Sequence, residues 1–335
     1  MEKDIFKSPP ISLNPQGKER RVGFEFEFTG ISMELASEII QSLYGGEIKR
    51  ESTYIYSVNQ TAFGSFKLEL DAQLLRDKKY EELFDKLGIN ISTYKKKESL
   101  EDSLKGLASS VVPFEIITPP VKLSQMYQLN KLVDKLRAHK VKGTGSSFIY
   151  AFGLHLNPEI ADASVGSVLN HLRAYVLLDP WIRKNSKINI SRQITPYINE
   201  YEEDYIIHIL NPMYKPDLNQ LIRDYIKFDN SRNRPLDLLP LFMFLEKELT
   251  SSLLLSDTIT SSRPTYHYRL PNCSLEDENW SLAQEWNRWV LVETLANDEQ
   301  SLNQYSRAYL KMKRETLIRF DSKWIKLMDR WVRDV

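Results

Sequence analysis

Arg21-Val22-Gly23-Phe24-Glu25-Phe26-Glu27-Phe28 alternates apolar with ionisable or small residues at a period of two. Successive residues of a strand point to opposite faces. Val22, Phe24, Phe26 and Phe28 then cover one face, while Gly23, Glu25 and Glu27 share the other. Strands disfavour Glu, and like charges on one sheet face repel. A cation held between the two carboxylates would remove that cost.

Four later stretches repeat the pattern. In Phe66-Lys67-Leu68-Glu69-Leu70-Asp71 the apolar residues alternate with Lys67, Glu69 and Asp71. Residues 111–120 read VVPFEIITPP, with Val112, Phe114 and Ile116 on one side, Glu115 alone on the other, and Pro119-Pro120 ending the strand. Residues 149–157 read IYAFGLHLN, where Tyr150, Phe152, Leu154 and Leu156 alternate with Gly153, His155 and Asn157. Residues 265–270 read TYHYRL, where Tyr266, Tyr268 and Leu270 alternate with His267 and Arg269.

Taken singly, each stretch is an antiparallel strand with one face in water. The joint pattern says more. A solvated face usually mixes acids with Lys, Thr, Ser and Gln, whereas these faces carry Glu, Asp, His and Arg with one Lys. Hard cations take oxygen ligands with some imidazole, and an Arg fork suits phosphate or carboxylate. The expectation is one antiparallel sheet whose polar face binds metal and phosphate.

The chain has 335 residues and a formal net charge of zero, so nothing in its balance favours nucleic acid or an anionic membrane. Its only cysteine, Cys273, excludes an internal disulfide and suits a reducing compartment. The first residues, MEKDIFKSPPISLNPQ, lack the apolar run of a signal peptide, and no long apolar stretch suggests a membrane span. A cytoplasmic location is the simplest expectation.

Apolar periodicity predicts helices over 32–43, 78–87, 99–107, 123–139, 162–178, 217–227 and 236–249, then two long helices at 278–296 and 299–333. A further strand is expected at 53–58. Lys95-Lys96-Lys97 reads as a solvated loop, and 142–147 (KGTGSS) as a glycine-rich loop without the order of a P-loop. Residues 180–215 hold short elements with a local basic excess. Trp280, Trp286, Trp289, Trp324 and Trp331 are expected to pack rather than bind ligand. Cys273 has no base at an informative spacing and is not expected to be a nucleophile.

Arg21-x-Gly23-x-Glu25-x-Glu27, Glu69-x-Asp71, Glu115-Ile116-Ile117-Thr118-Pro119-Pro120, Gly153-x-His155 and Arg269-Leu270-Pro271, in this order, resemble the amidoligase family. That family is a branch of the carboxylate–amine ligases that includes glutamine synthetase and glutamate–cysteine ligase. The resemblance implies an α+β fold, with a curved antiparallel sheet flanked by helices in the glutamine-synthetase-like manner and a helical C-terminus. It implies a polar lead-in over 1–20, a catalytic domain over 21–275 and C-terminal helices over 276–335 packed on it. It implies ATP and Mg²⁺, with Mn²⁺ as the alternative, and a carboxylate activated as an acyl phosphate before an amine attacks it. Glu25, His155 and His267 would hold one metal. Glu27, Glu115 and Glu69 or Asp71 would hold another. Arg269 and Glu115 would be catalytic, and Arg21, Asn157, Arg269 and Asn272 would line the ATP and substrate pocket. The partners would be carboxylate and amine substrates, a peptide or protein tail among the candidates.

Two positions depart from the family pattern. Relatives carry Glu two residues before the late Arg, where this chain has His267, and many read H-x-H where this chain has His155-x-Asn157. Imidazole is a poorer Mg²⁺ ligand than carboxylate but serves Mn²⁺ or Zn²⁺ well. A catalytically silent nucleotide-binding or scaffold relative, which His267 favours, and a phosphotransferase on the same sheet are the competing expectations. ATP binding without turnover would identify the first, and a stable phosphorylated product the second.

Overall fold

The computed structural model describes residues 4–52, 54–70, 114–143, 152–186, 198–228, 232–255, 260–315 and 319–335. The expected helices at 78–87 and 99–107, the lysine run at 95–97, Asp71 and Val112 lie outside these residues, as do most of the glycine-rich loop and the Lys187 and Arg192 part of the basic stretch.

Among the described residues the alternating stretches meet in one nine-stranded sheet, all of whose pairings are antiparallel. Its strands are β1 (Arg21–Phe28), β2 (Glu47–Arg50), β3 (Ile55–Thr61), β4 (Gly64–Leu70), β5 (Phe114–Ile117), β6 (Val121–Lys122), β7 (Leu154–Pro158), β8 (Leu236–Asp237) and β9 (His267–Tyr268). The order is β2-β3-β4-β5-β1-β7-β9-β8, with β6 continuing along β1. The strand most legible in the sequence, β1, is thus central.

Helices cover the apolar face. Helix α1 (Met33–Tyr44) starts at Ser32, whose hydroxyl accepts from Leu35 N, and stops at Gly45 with φ +72°. Its Tyr44 ring stacks on Phe66 of β4, with centroids 5.4 Å apart. Helix α2 (Asn130–Ala138) packs on α1 and buries Leu132, Val133 and Leu136. At the other end, α3 (Val165–Asn185) and α8 (Leu282–Asn297) pack together against β9. Trp289 of α8 and Tyr175 of α3 both meet Tyr268, at centroid distances of 5.5 and 5.8 Å. Between α3 and α8 in sequence lie α4 (Glu203–Leu210), α5 (Leu218–Phe228), α6 (Leu239–Leu245) and α7 (Lys247–Leu253). The chain closes with α9 (Glu299–Glu315) and α10 (Phe320–Asp334). All five tryptophans expected to pack are buried. Among the described residues no helix is long and apolar enough to cross a membrane.

Four helical expectations change in detail. The segment expected as one helix at 123–139 begins as a 3₁₀ stretch, Leu123–Leu129. Lys122 offers no cap there, and Glu19 from across the fold accepts from Ser124 N instead. Helix α3 runs past Pro180 because Trp181 and Ile182 are buried and Arg183 pairs with Asp179 at 2.8 Å. The run 236–249 is not one helix. Its first two residues pair with β9, Pro240 sits in the first turn of α6, and the chain breaks at Glu246 (φ −149°) before α7. The final long helix is two, with Arg319 at φ +64° starting the second, a conformation no helix interior accepts.

Candidate active site

The sheet register gathers the ionisable residues on the face opposite the helices. At one level across three strands, Glu69 of β4 faces Glu115 of β5, and Glu115 faces Glu27 of β1. One step along β1, Glu25 faces His155 of β7, and beyond it Gly23 faces Asn157. Tyr268 pairs with Leu156 and with Leu236, which puts His267 and Arg269 on this same face. His267 pairs directly with Asp237 of β8.

Glu25 is the hub. It is 6% exposed. Its Oε2 accepts from His155 Nδ1 at 2.9 Å, and its Oε1 from Asn157 Nδ2 at 2.9 Å and Arg263 Nη1 at 3.2 Å. His267 Nε2 lies 3.7 Å from Oε2. The other ring nitrogen of His155 lies 3.2 Å from Glu27 Oε1, and Gly153 N donates to Glu27 Oε2 at 2.5 Å. Glu25, His155 and His267 each bring a ligand atom within 4.8 Å of the others. Two atoms in this cluster are buried without a hydrogen-bond partner, His267 Nε2 and Asn157 Oδ1. A water, an ion or a ligand atom can satisfy such buried groups.

A second layer holds the first. Asp237 is fully buried; its Oδ2 lies 3.2 Å from His267 Nδ1 and 3.1 Å from Arg232 Nε, and its Oδ1 accepts from Leu239 N at 3.0 Å. Arg269, also buried, donates to the Arg232 carbonyl.

The sequence profile of a family described as "Putative amidoligase enzyme" matches residues 18–291. The chain belongs to the amidoligase family. The match contains every strand of the sheet and every residue of the cluster. Comparisons with curated proteins and with solved structures found no match.

In this member of the family the residues expected at the site fall as follows. Glu25, His155 and His267 are in mutual contact range, with Asn157 bonded to Glu25. Glu27, Glu115 and Glu69 stand side by side in register, and Glu69 also pairs with Lys67 at 2.5 Å. Arg269 and Asn272 are buried beside them, Asn272 bridging to Gly153. Arg21 begins β1 on the same face but is exposed, and Asp71 lies outside the described residues. Of the glycine-rich loop, Gly143 is described: its N donates to Glu276 Oε2 at 2.9 Å, and a Cβ there would meet Cys273 O at 2.2 Å. Cys273 itself is buried and unavailable as a nucleophile.

Sequence reading missed Asp237, Arg232 and Arg263. A lone Asp inside the apolar run LDLLPLFMFL was a visible signal for the first. The two arginines lie in irregular segments, where no period tells which way a side chain points.

Burial opposes ionisation of Glu25, but the imidazoles of His155 and His267 outweigh it and hold the carboxyl well below the usual range. Asp237 is likewise opposed by burial, yet His267 and Arg232 bring it down to about 2. His155 is pushed below the ordinary imidazole value by burial, with Glu27 and Glu25 only partly restoring it, and burial does the same to His171. In all four groups the unfolded chain binds more protons, so acid destabilises the fold. The histidine contribution is complete above pH ~6.5 and is lost as pH falls through that value toward the folded pKa. The carboxylate contribution is complete above pH ~4.3 and is lost below it. Urea midpoints measured from about pH 8 to about pH 3 should therefore fall in two stages. A midpoint unchanged between pH ~7 and ~5 would contradict the uncharged, buried histidines.

Proposed function

We propose that the chain is an ATP- and metal-dependent carboxylate–amine ligase with the glutamine-synthetase-like arrangement of its family. The observation that carries this reading is the single polar sheet face on which a Glu–His–His cluster adjoins a row of three carboxylates. A ligase of this kind must hold polyphosphate beside a reacting carboxylate, and such sites work by positioning and electrostatic stabilisation.

The donor set fits divalent metal. Glu25, His155 and His267 offer oxygen and two imidazoles, one with a buried nitrogen lacking a partner. Glu27, Glu115 and Glu69 offer oxygens alone, as Mg²⁺ prefers. Bound metal would supply charge neutralisation at the phosphate oxygens. Arg269, anchored by the Arg232 carbonyl, would steady the transferred phosphoryl group through a rigid fork. Arg263, nearly half exposed, would meet an incoming anionic group at the rim. Glu115, central in its row, would share in metal binding and in placing the reacting carboxylate, while Arg21, Asn157 and Asn272 would bound the nucleotide and substrate pocket. In the reaction a substrate carboxylate oxygen bonds to the γ-phosphorus of ATP as the bond to ADP breaks. The amine nitrogen then bonds to the acyl carbon, phosphate leaves, and the amine gives up a proton.

The test is ADP release from ATP across a matrix of carboxylates and amines, amino acids and short peptides among them, with Mg²⁺ and with Mn²⁺. The expected result is release that needs both partners and a product whose mass is their sum less one water. A stable phosphorylated product would make the chain a phosphotransferase. ATP binding without turnover in any combination would make it a silent relative.

A further inference from the structure

His267 and its neighbours differ in kind from an all-oxygen site. The His267 ring is held on its Nδ1 side by a buried carboxylate, Asp237, at 3.2 Å. Asp237 is itself fixed by Arg232 Nε at 3.1 Å and by Leu239 N at 3.0 Å. A carboxylate at Nδ1 keeps a proton on that side, so Nε2 is the nitrogen left to face Glu25 and a ligand. That nitrogen is buried, has no hydrogen-bond partner, and points to Glu25 Oε2 at 3.7 Å. The His155 ring stands against it edge-on, with centroids 5.2 Å apart at 82°. A carboxylate behind a ligating histidine is the usual way to orient the ring and raise its basicity toward a metal.

We infer that Asp237 is a positioning residue for metal binding. By fixing His267 with Nε2 turned toward Glu25, it makes the Glu25–His155–His267 cluster a site for a borderline divalent cation (Mn²⁺, Co²⁺ or Zn²⁺) in preference to Mg²⁺. This rests on the reading that the polar face binds metal, and it adds which metal and by what device. Two imidazoles and one carboxylate suit such ions, and Mg²⁺ gains little from nitrogen ligands. The Lys67–Glu69 end of the face lacks imidazole and keeps the oxygen character that Mg²⁺ requires.

The experiment titrates metal alone into the full chain, without ATP, using the visible absorption of Co²⁺ as the signal and Zn²⁺, Mn²⁺ and Mg²⁺ as competitors. Wild type is compared with Asp237→Asn and His267→Glu, each checked for native circular dichroism. Asp237→Asn retains an acceptor for Leu239 N. It should bind Co²⁺ roughly 10–100-fold more weakly, as loss of an outer-shell partner does, with an altered spectrum. His267→Glu should lower the preference for Co²⁺ over Mg²⁺ by about tenfold or more. A folded Asp237→Asn with unchanged Co²⁺ affinity and spectrum would overturn the positioning role while leaving a metal site in place. Mg²⁺ competing with Co²⁺ at equal affinity in wild type would overturn the preference. Wild type that binds no metal at all would overturn this inference together with the metal-dependent reading of the site.

Discussion

Glu25→Gln should abolish metal-dependent ATP binding while leaving the sheet folded. Among the described residues Glu25 meets each other member of the cluster: His155, Asn157 and Arg263 by hydrogen bonds, and His267 at 3.7 Å. Glutamine matches its shape. Its carbonyl can still accept from Asn157 and Arg263, so the hydrogen bonds that hold the strands' polar face have a substitute. The charge has none. Removing it takes away the group that two imidazoles keep ionised, and a neutral amide is a poor ligand for a divalent cation. Loss of an outer-shell partner alone costs roughly 10–100-fold in metal affinity, so loss of this direct ligand should exceed about 100-fold. Calorimetric titration of ATP with Mg²⁺ and with Mn²⁺ reads the effect. ATP binding of equal strength in the folded variant would place the nucleotide away from this face.

The largest loss of stability should come from Arg20→Met, at about 3–5 kcal/mol. Arg20 and Glu293 are each 1% exposed and form a two-pronged pair, Nη1 to Oε2 at 2.7 Å and Nη2 to Oε1 at 2.6 Å. The guanidinium also donates to Ile11 O and Glu159 O, and Trp289 Nε1 donates to Glu293 at 2.6 Å. One side chain thus ties the N-terminal segment, the exit of β7 and helix α8 together. Removing the cation leaves a carboxylate in the interior, still accepting from the Trp289 indole but without its paired charge, and that uncompensated charge is the main cost. The double variant Arg20→Met, Glu293→Leu should recover much of the loss, because replacing both charges removes the desolvation burden as well as the attraction. Urea midpoints of the single and double variants separate the two effects. A single variant within about 1 kcal/mol of wild type would show that water reaches the pair.

Much of the site was legible because a strand has a period of two. Once Val22, Phe24, Phe26 and Phe28 were read as one buried face, Glu25 and Glu27 had to share the other, and the same logic placed Glu69, Glu115, His155, Asn157, His267 and Arg269. The structure puts all of them on one face. Helices with a cap and a stop, such as α1 between Ser32 and Gly45, were legible for a similarly local reason. Where a segment's fate depended on what it met, sequence reading failed. Leu236-Asp237 looked like the start of an apolar helix until β9 offered its backbone edge, and that pairing delivers Asp237 to His267.

Which residues face which side of each strand is a local matter, since it follows from backbone geometry within a few residues. The sequence also carried the ordered motifs by which the chain belongs to its family. The strand order and register that set Glu25 against His155 and Glu115 between Glu27 and Glu69 arise in the packed fold. The same packing brings Asp237, Arg232 and Arg263 to the cluster from loops and an edge strand. Those contacts join residues up to 238 positions apart, as between Arg263 and Glu25. No local period encodes such a meeting; it follows from how the apolar faces pack.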